Sequence, residues 1–181
     1  MTLILALDLA TRTGFARGRI GEVPIAGSIR FGKPHCRDHV VFGAALDWMV
    51  AQLEQKPLPD LLIIEDMLSP LAMKGDTSRA VRDRLAGLHG IVKGLAHRYG
   101  ISEIATAAVG DIRSHFIGDR SLKRFPAKQA VMQRCRALGW TAPDDNAGDA
   151  LAIWSYACAL IDPKWALQVS PLFNRKLRVA V

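Results

Sequence analysis

Three carboxylates stand where apolar sequence begins or stops. Thr2-Leu-Ile-Leu-Ala-Leu ends on Asp8, Leu61-Leu-Ile-Ile ends on Glu65, and Asp149 heads the run Ala-Leu-Ala-Ile. Strands this apolar belong in the middle of a sheet covered on both faces, so acids at their ends are held by a rigid scaffold. None has an evident cationic partner in the sequence around it. Converging carboxylates of this kind make a seat for hard divalent cations, which take oxygen ligands. Two such ions, about 4 Å apart, clamp the attacking and leaving oxygens of a phosphodiester. The acids then serve to concentrate positive charge where the transition state becomes more anionic. Each acid also has an ordinary reading. Asp8 suits the turn after a strand, Glu65 and Asp66 suit a strand end meeting solvent, and Asp144 or Asp145 suits a helix cap.

The elements that must position these acids follow from apolar spacing and turn residues. Strands are expected over residues 2–8, 14–19 and 25–31, joined by turns short enough for antiparallel pairing. A loop at 32–38 leads to a helix over 41–53, where Val41, Ala45, Trp48, Met49 and Leu53 recur at helical spacing. Pro57 and Pro59 break it before a fourth strand, 61–65. A helix over 79–99 ends at Gly100, and a short strand follows at 103–107. A brief helix at 109–117 precedes one from Pro126 to Leu138, with Pro126 as a first-turn residue. The last long helix covers 146–160. A helical connection between the third and fourth strands suits a crossover to a parallel position. Asp8 and Glu65 then emerge at the carboxyl edge of the sheet, where α/β proteins gather functional groups. The late helix brings Asp149 there, and Asp145 and Asn146, four and three residues earlier, share its face. The expected architecture is α/β: a mixed five-stranded sheet, three strands antiparallel and then two parallel, with helices on both faces.

A chain of 181 residues, half of them hydrophobic, is expected to fold as one domain. The domain is expected over 1–163, with a basic tail over 164–181 that includes Asn174-Arg-Lys-Leu-Arg. The formal charge is +7 and the pI 9.7, a balance that favours a polyanionic partner, nucleic acid first. No apolar run is long enough to span a bilayer, and no basic region precedes the first apolar stretch, so neither a membrane span nor a signal peptide is expected. Cys36, Cys135 and Cys158, odd in number and far apart, read as reduced thiols of a cytoplasmic protein. Cys36 lies between His35 and His39 but lacks the further ligands of a zinc site.

Taken together, the motifs resemble a known family. Asp8 in ALDLATRTGFA, Glu65 in LLIIEDM and Asp149 in DDNAGDALAIW look like the RuvC-type Holliday junction resolvases of the RNase H-like superfamily. The likeness covers roughly residues 2–160. It implies an RNase H-like fold and a dimeric, Mg²⁺- or Mn²⁺-dependent endonuclease, with two ions per site, that nicks opposed strands of a four-way DNA junction. It implies Asp8, Glu65 and Asp149 as metal ligands and catalytic residues. Many members place a fourth acid three residues before the last Asp. Here that position is Asn146, and the neighbouring acid is Asp145. Asp145 is taken as the fourth ligand, with Asn146 as the alternative. The resemblance also implies that Lys128, after a basic loop, contacts the scissile phosphate or stabilises the leaving charge.

Two segments suit DNA. Arg120, Lys123, Arg124, Lys128, Arg134 and Arg136 fall together with no acid among them, which suits a phosphate-binding surface. In Met67 to Arg84, Leu68 and Met73 suit either a wedge against unstacked bases or cover for the core edge, beside Lys74, Arg79 and Arg82. The small residues of Leu85-Ala-Gly-Leu-His-Gly90 let another helix approach closely, from a second subunit or from the same chain. Two other functions are open: a branched-DNA-binding protein of this fold with impaired catalysis, suggested by Asn146, and an actin-like phosphotransferase or ATPase, faintly suggested by DLATRTG.

Overall fold

A computed structural model describes residues 1–67 and 79–169. Its elements, in chain order, are β1 (Leu3–Asp8), β2 (Arg12–Arg19), β3 (Ile25–Arg30), α1 (Asp38–Glu54), β4 (Leu61–Glu65), α2 (Arg79–Tyr99), β5 (Glu103–Ala107), α3 (Val109–Ile117), α4 (Arg124–Ala137), α5 (Asp145–Ile161) and α6 (Pro163–Val169). The strands form one sheet in the order β3-β2-β1-β4-β5. β1–β2 and β2–β3 pair antiparallel; β1–β4 and β4–β5 pair parallel. This is the expected mixed sheet, with β1 at its centre because the first apolar run is buried on both sides.

Alternation along β1 and β4 assigns the two faces. Leu5, Leu7, Leu62 and Ile64 pack with α1 and α2 residues such as Val41, Met49, Leu88 and Val92. Ile4, Ala6, Leu61 and Ile63 pack on the other face with Ile112 and Phe116 of α3, Val131 of α4 and the apolar side of α5. Successive strand residues point to opposite faces, so the second set continues to the acids: Ile4, Ala6, Asp8 and Leu61, Ile63, Glu65. Both acids therefore face α5.

Several boundaries move for identifiable reasons. β2 begins two residues before the expected start because Arg12 pairs with Arg30 at the sheet margin. α4 begins at Arg124, so Pro126 is its third residue; Pro still fits there, because the first-turn amides have no intrahelical acceptor. α6 occupies the start of the segment expected as a tail. Trp165 stacks on Trp140 and meets Trp154 edge-on, and Trp165 and Val169 join the α5-side core. The basic residues at 174–178 lie outside the described residues.

Arg134, expected on a phosphate-binding surface, is instead buried and donates to the Val169 carbonyl. It faces the interior because it follows Val131 by one turn on the core side of α4. Of the small residues of α2, Gly87 meets the same chain: a Cβ there would lie 2.3 Å from the Phe42 ring of α1. Among the described residues no helix is long and apolar enough to cross a membrane.

Candidate active site

Asp8 and Glu65 are the last residues of neighbouring parallel strands whose register ends on Leu7↔Ile64. They sit side by side on the α5 face. Asp149, in the second turn of α5, completes the group, and the three acids line one cleft of about 460 Å³. Asn146, Arg113, Arg124 and Lys128 line the same cleft.

The start of α5 is fixed by its surroundings. Asp8, Gly14 and Ser28 form a row across β1, β2 and β3, and α5 begins on this row. A Cβ on Gly14 would lie 1.9 Å from the Asn146 carbonyl oxygen, so only glycine permits this approach. Asp144 is the N-cap, accepting from the Ala147 amide at 2.9 Å. Its other oxygen accepts from Arg12 at 2.6 Å and from Ser28 at 2.5 Å. The helix start is thus stitched to β2 and β3, and Asp149 is carried to the strand ends.

The acids differ in their electrostatics. Burial, then the charges of Glu65 and Asp149, push the Asp8 carboxyl up to about 8. Burial and Asp149 raise Glu65 to about 7, opposed by Arg113 and Lys128. Asp149 is raised by burial, although Lys128 opposes it. Such a cluster holds protons or cations in preference to bare negative charge. Asp144 and Asp145 behave oppositely. The Ser28, Ala147 and Arg12 hydrogen bonds outweigh partial burial and hold Asp144 below the usual carboxylate range. A hydrogen bond from Lys128 does the same for Asp145.

Lys128 corrects the expectation that the acids lack a cationic partner. Its ammonium lies 2.6 Å from Asp145 and 3.4 Å from Asp149, and these contacts raise its pKa against the effect of burial. Asp145 and Asn146 consequently take different places. Asn146 lines the cleft with the three acids. Asp145 lines an adjoining cleft of about 460 Å³ that shares Ala10, Arg124, Lys128 and Asn146 with the first.

The donor set suits a hard divalent ion. Three carboxylates with raised pKa values face one another, and a cation relieves their mutual repulsion. Among the described residues no three His, Cys, Asp or Glu side chains close into a ready cage. Mg²⁺ does not require one, since it keeps several waters and takes one or two carboxylates together with substrate phosphate.

The other expected DNA contacts are dispersed. Lys123 and Arg124 are exposed at the start of α4, and Arg124 borders both clefts. Arg120 pairs with Asp111 at 3.2 Å. Arg79 is exposed at the start of α2 and lies 3.6 Å from Asp83. Arg82 is half-buried, and neither Arg79 nor Arg82 borders the two clefts, where Val81, Arg84 and Leu85 stand instead. Leu68, Met73 and Lys74 lie outside the described residues.

Arg113 escapes notice in the sequence. It projects from α3 into the acid-lined cleft while donating to the Leu122 carbonyl at 3.3 Å. Nothing local distinguishes it from other arginines; its place follows from Ile112 and Phe116 fixing α3 against the core. Gly14 left a clearer signal, since a glycine inside a strand often marks close backbone approach.

No family model matches the chain, and no curated protein sequence matches it. Solved structures do. A Thermus thermophilus RuvC structure superposes with a TM-score of 0.66 at 14% identity, covering 93% of this chain and 98% of the other. T. thermophilus RuvC in complex with Holliday junction substrate gives 0.68 at 12% identity, covering 89% and 96%. The yeast mitochondrial Holliday junction resolvase gives 0.61 at 10% identity, covering 97% and 83%. Sheet order, crossover and the placement of α5 agree with the likeness seen in the motifs: the chain has the RNase H-like fold of the RuvC-type resolvases.

Proposed function

We propose that this protein is a metal-dependent, structure-selective DNA endonuclease that resolves four-way junctions by paired nicking. The observation that carries the reading is the convergence of Asp8, Glu65 and Asp149, from three separate elements, in one cleft that shares its wall with Arg113, Arg124 and Lys128. Acids alone would repel a phosphodiester; acids that hold cations, flanked by fixed basic side chains, attract one.

In this reading Asp8, Glu65 and Asp149 hold two Mg²⁺ or Mn²⁺ ions. Bound there, the ions would supply an activated water and neutralise the departing 3′ oxygen. Lys128, steadied by Asp145, faces the phosphate and offsets charge on the leaving side. Arg113 helps to balance Glu65 and Asp149 and orients a non-bridging phosphate oxygen. Arg124, with Lys123 and Arg120 beyond it, follows the backbone away from the cut. Leu68, Met73, Lys74, Arg79 and Arg82 would serve the junction centre. Paired nicking needs two active sites, so the working form is a homodimer, acting on DNA in the cytoplasm.

Cleavage of synthetic four-way junction, fork, flap, RNA–DNA hybrid and linear duplex, side by side with Mg²⁺ or Mn²⁺, tests the reading. Symmetric nicks in the junction are expected; equal cutting of linear duplex, or no cutting of any substrate, would end it.

A second reading is favoured by one observation. Asn146, not an acid, lines the cleft beside Asp149, while Asp145 is engaged by Lys128. A protein that binds branched DNA with impaired catalysis fits that arrangement. Calorimetric titration with Mn²⁺ separates the two: no binding up to millimolar ion supports the second.

A further inference from the structure

Phe125 is 71% exposed on a first helical turn and belongs to neither core cluster. Leaving a large aromatic in water forgoes the gain of burying it, so packing of the core does not account for its place. Its neighbours are more informative. Arg124 borders both clefts, and Lys128, three residues after Phe125, stands in both. At about 100° per residue, Phe125 lies about 60° around the helix from Lys128, beside the face of α4 that lines the clefts.

The same turn has an unusual charge pattern. Helix starts favour acids, because the first amides present partial positive charge. Here the first turn of α4 contains no acid, and Lys123 at the N-cap position gives no side-chain cap. Arg124 instead adds its cation to the positive end. That combination is unfavourable alone and is relieved by an anion such as phosphate.

We propose that Phe125 is a stacking platform for an unpaired nucleobase. Lys123, Arg124 and the start of α4 would hold the flanking phosphates as the strand enters the cleft. An aromatic ring in a basic surface is how sequence-tolerant single-strand sites are built: the cations take the backbone, and any base offers a face to stack. The assignment rests on the nuclease reading for its place beside the cut strand. It adds that the protein recognises an unstacked base there, which a perfectly paired duplex does not offer.

The test compares wild type with Phe125→Ala and Phe125→Trp. Binding is measured to a mixed-sequence single-stranded oligonucleotide, to linear duplex, and to a four-way junction carrying 2-aminopurine at the crossover. Loss of one stacked base is worth about 1–3 kcal/mol, hence a roughly five- to hundredfold weaker affinity of Phe125→Ala for single strand and junction. Duplex affinity and melting temperature are expected to stay near wild type. Phe125→Trp should restore affinity, with its fluorescence quenched by single strand. Wild-type affinity of Phe125→Ala for single strand, or an equal loss on duplex, overturns the proposal. Wild type that cuts nothing yet shows the Phe125 effect on single strand sinks the nuclease reading and leaves the stacking site standing. Wild type that binds no DNA overturns both.

Discussion

Two groups of acids meet around the start of α5 and are treated oppositely by the fold. At the start of α5, Asp144 is bonded to Arg12, Ser28 and the Ala147 amide, and Asp145 to Lys128. One turn deeper, Asp149 meets Asp8 and Glu65 in a cleft where burial raises all three, and neighbouring acids push Asp8 and Glu65 higher still. The first group is compensated and anchors a helix. The second lacks enough positive charge of its own and stores an affinity for cations. Residue type does not separate the two; the balance of partners does.

The largest effects should come from the cleft. Asp8→Asn or Glu65→Gln is expected to lower junction cleavage by roughly a hundredfold or more, the scale of losing a key electrostatic group. In chelator each variant should melt above wild type at neutral pH, because the amide avoids the cost that burial and neighbouring acids impose on a carboxyl whose pKa is raised in the fold. With Mn²⁺ wild type should gain more melting temperature than either variant. Full cleavage by either variant would erase the distinction between the two groups.

Gly14→Ala attacks the link between them. Its Cβ has no room against the Asn146 carbonyl, so the α5 start must shift. Overpacking of this kind costs about 1–3 kcal/mol, and a displacement of Asp149 by about 1 Å costs up to roughly a hundredfold in rate. Chemical denaturation and cleavage assays read the two losses separately. A variant that is destabilised yet cuts at the wild-type rate would show that Gly14 supports the fold alone.

Asp144→Ala should have a smaller and different effect. Loss of an N-cap costs about 1 kcal/mol, seen as a drop of roughly 2–4 °C in melting temperature for a chain of this size. Metal affinity should change little. A loss of Mn²⁺ binding as large as that of Asp8→Asn would place Asp144 in the functional group instead.

The smallest effect sharpens the comparison by removing a confusion at low pH. His115 is half-buried, with Nε2 3.0 Å from the Ser155 hydroxyl. Burial, then Arg134, lower its pKa to about 4. The unfolded chain therefore binds the proton first. Stability contributed by neutral His115 is present above about 6.5 and lost as pH falls toward about 4, at no more than about 1.4 kcal/mol per pH unit. Equilibrium unfolding between pH 7 and 4 should show this limb, and His115→Gln should flatten it. An unchanged slope in the variant would assign acid sensitivity to other groups.

Much of this was legible beforehand. The apolar runs ending on Asp8 and Glu65 are central parallel strands, and the helix carrying Asp149 lies within a residue or two of its expected limits. Strand alternation already implied that both acids share a face. Arg134 was misplaced because a run of basic residues reads as one surface until the helix phase puts one of them inward. Trp165 and α6 were missed because a short segment after Pro163 shows too few apolar positions for its period to be read.

The sequence by itself determined the strands, the crossover and the candidate acids, since these depend on local periodicity and on where apolar runs stop. Only the tertiary structure decided which acids were neutralised. That depends on Arg12, Ser28, Lys128 and Arg113 arriving from distant parts of the chain, and charge interactions are set by separation in space and by burial, neither of which is written in linear order.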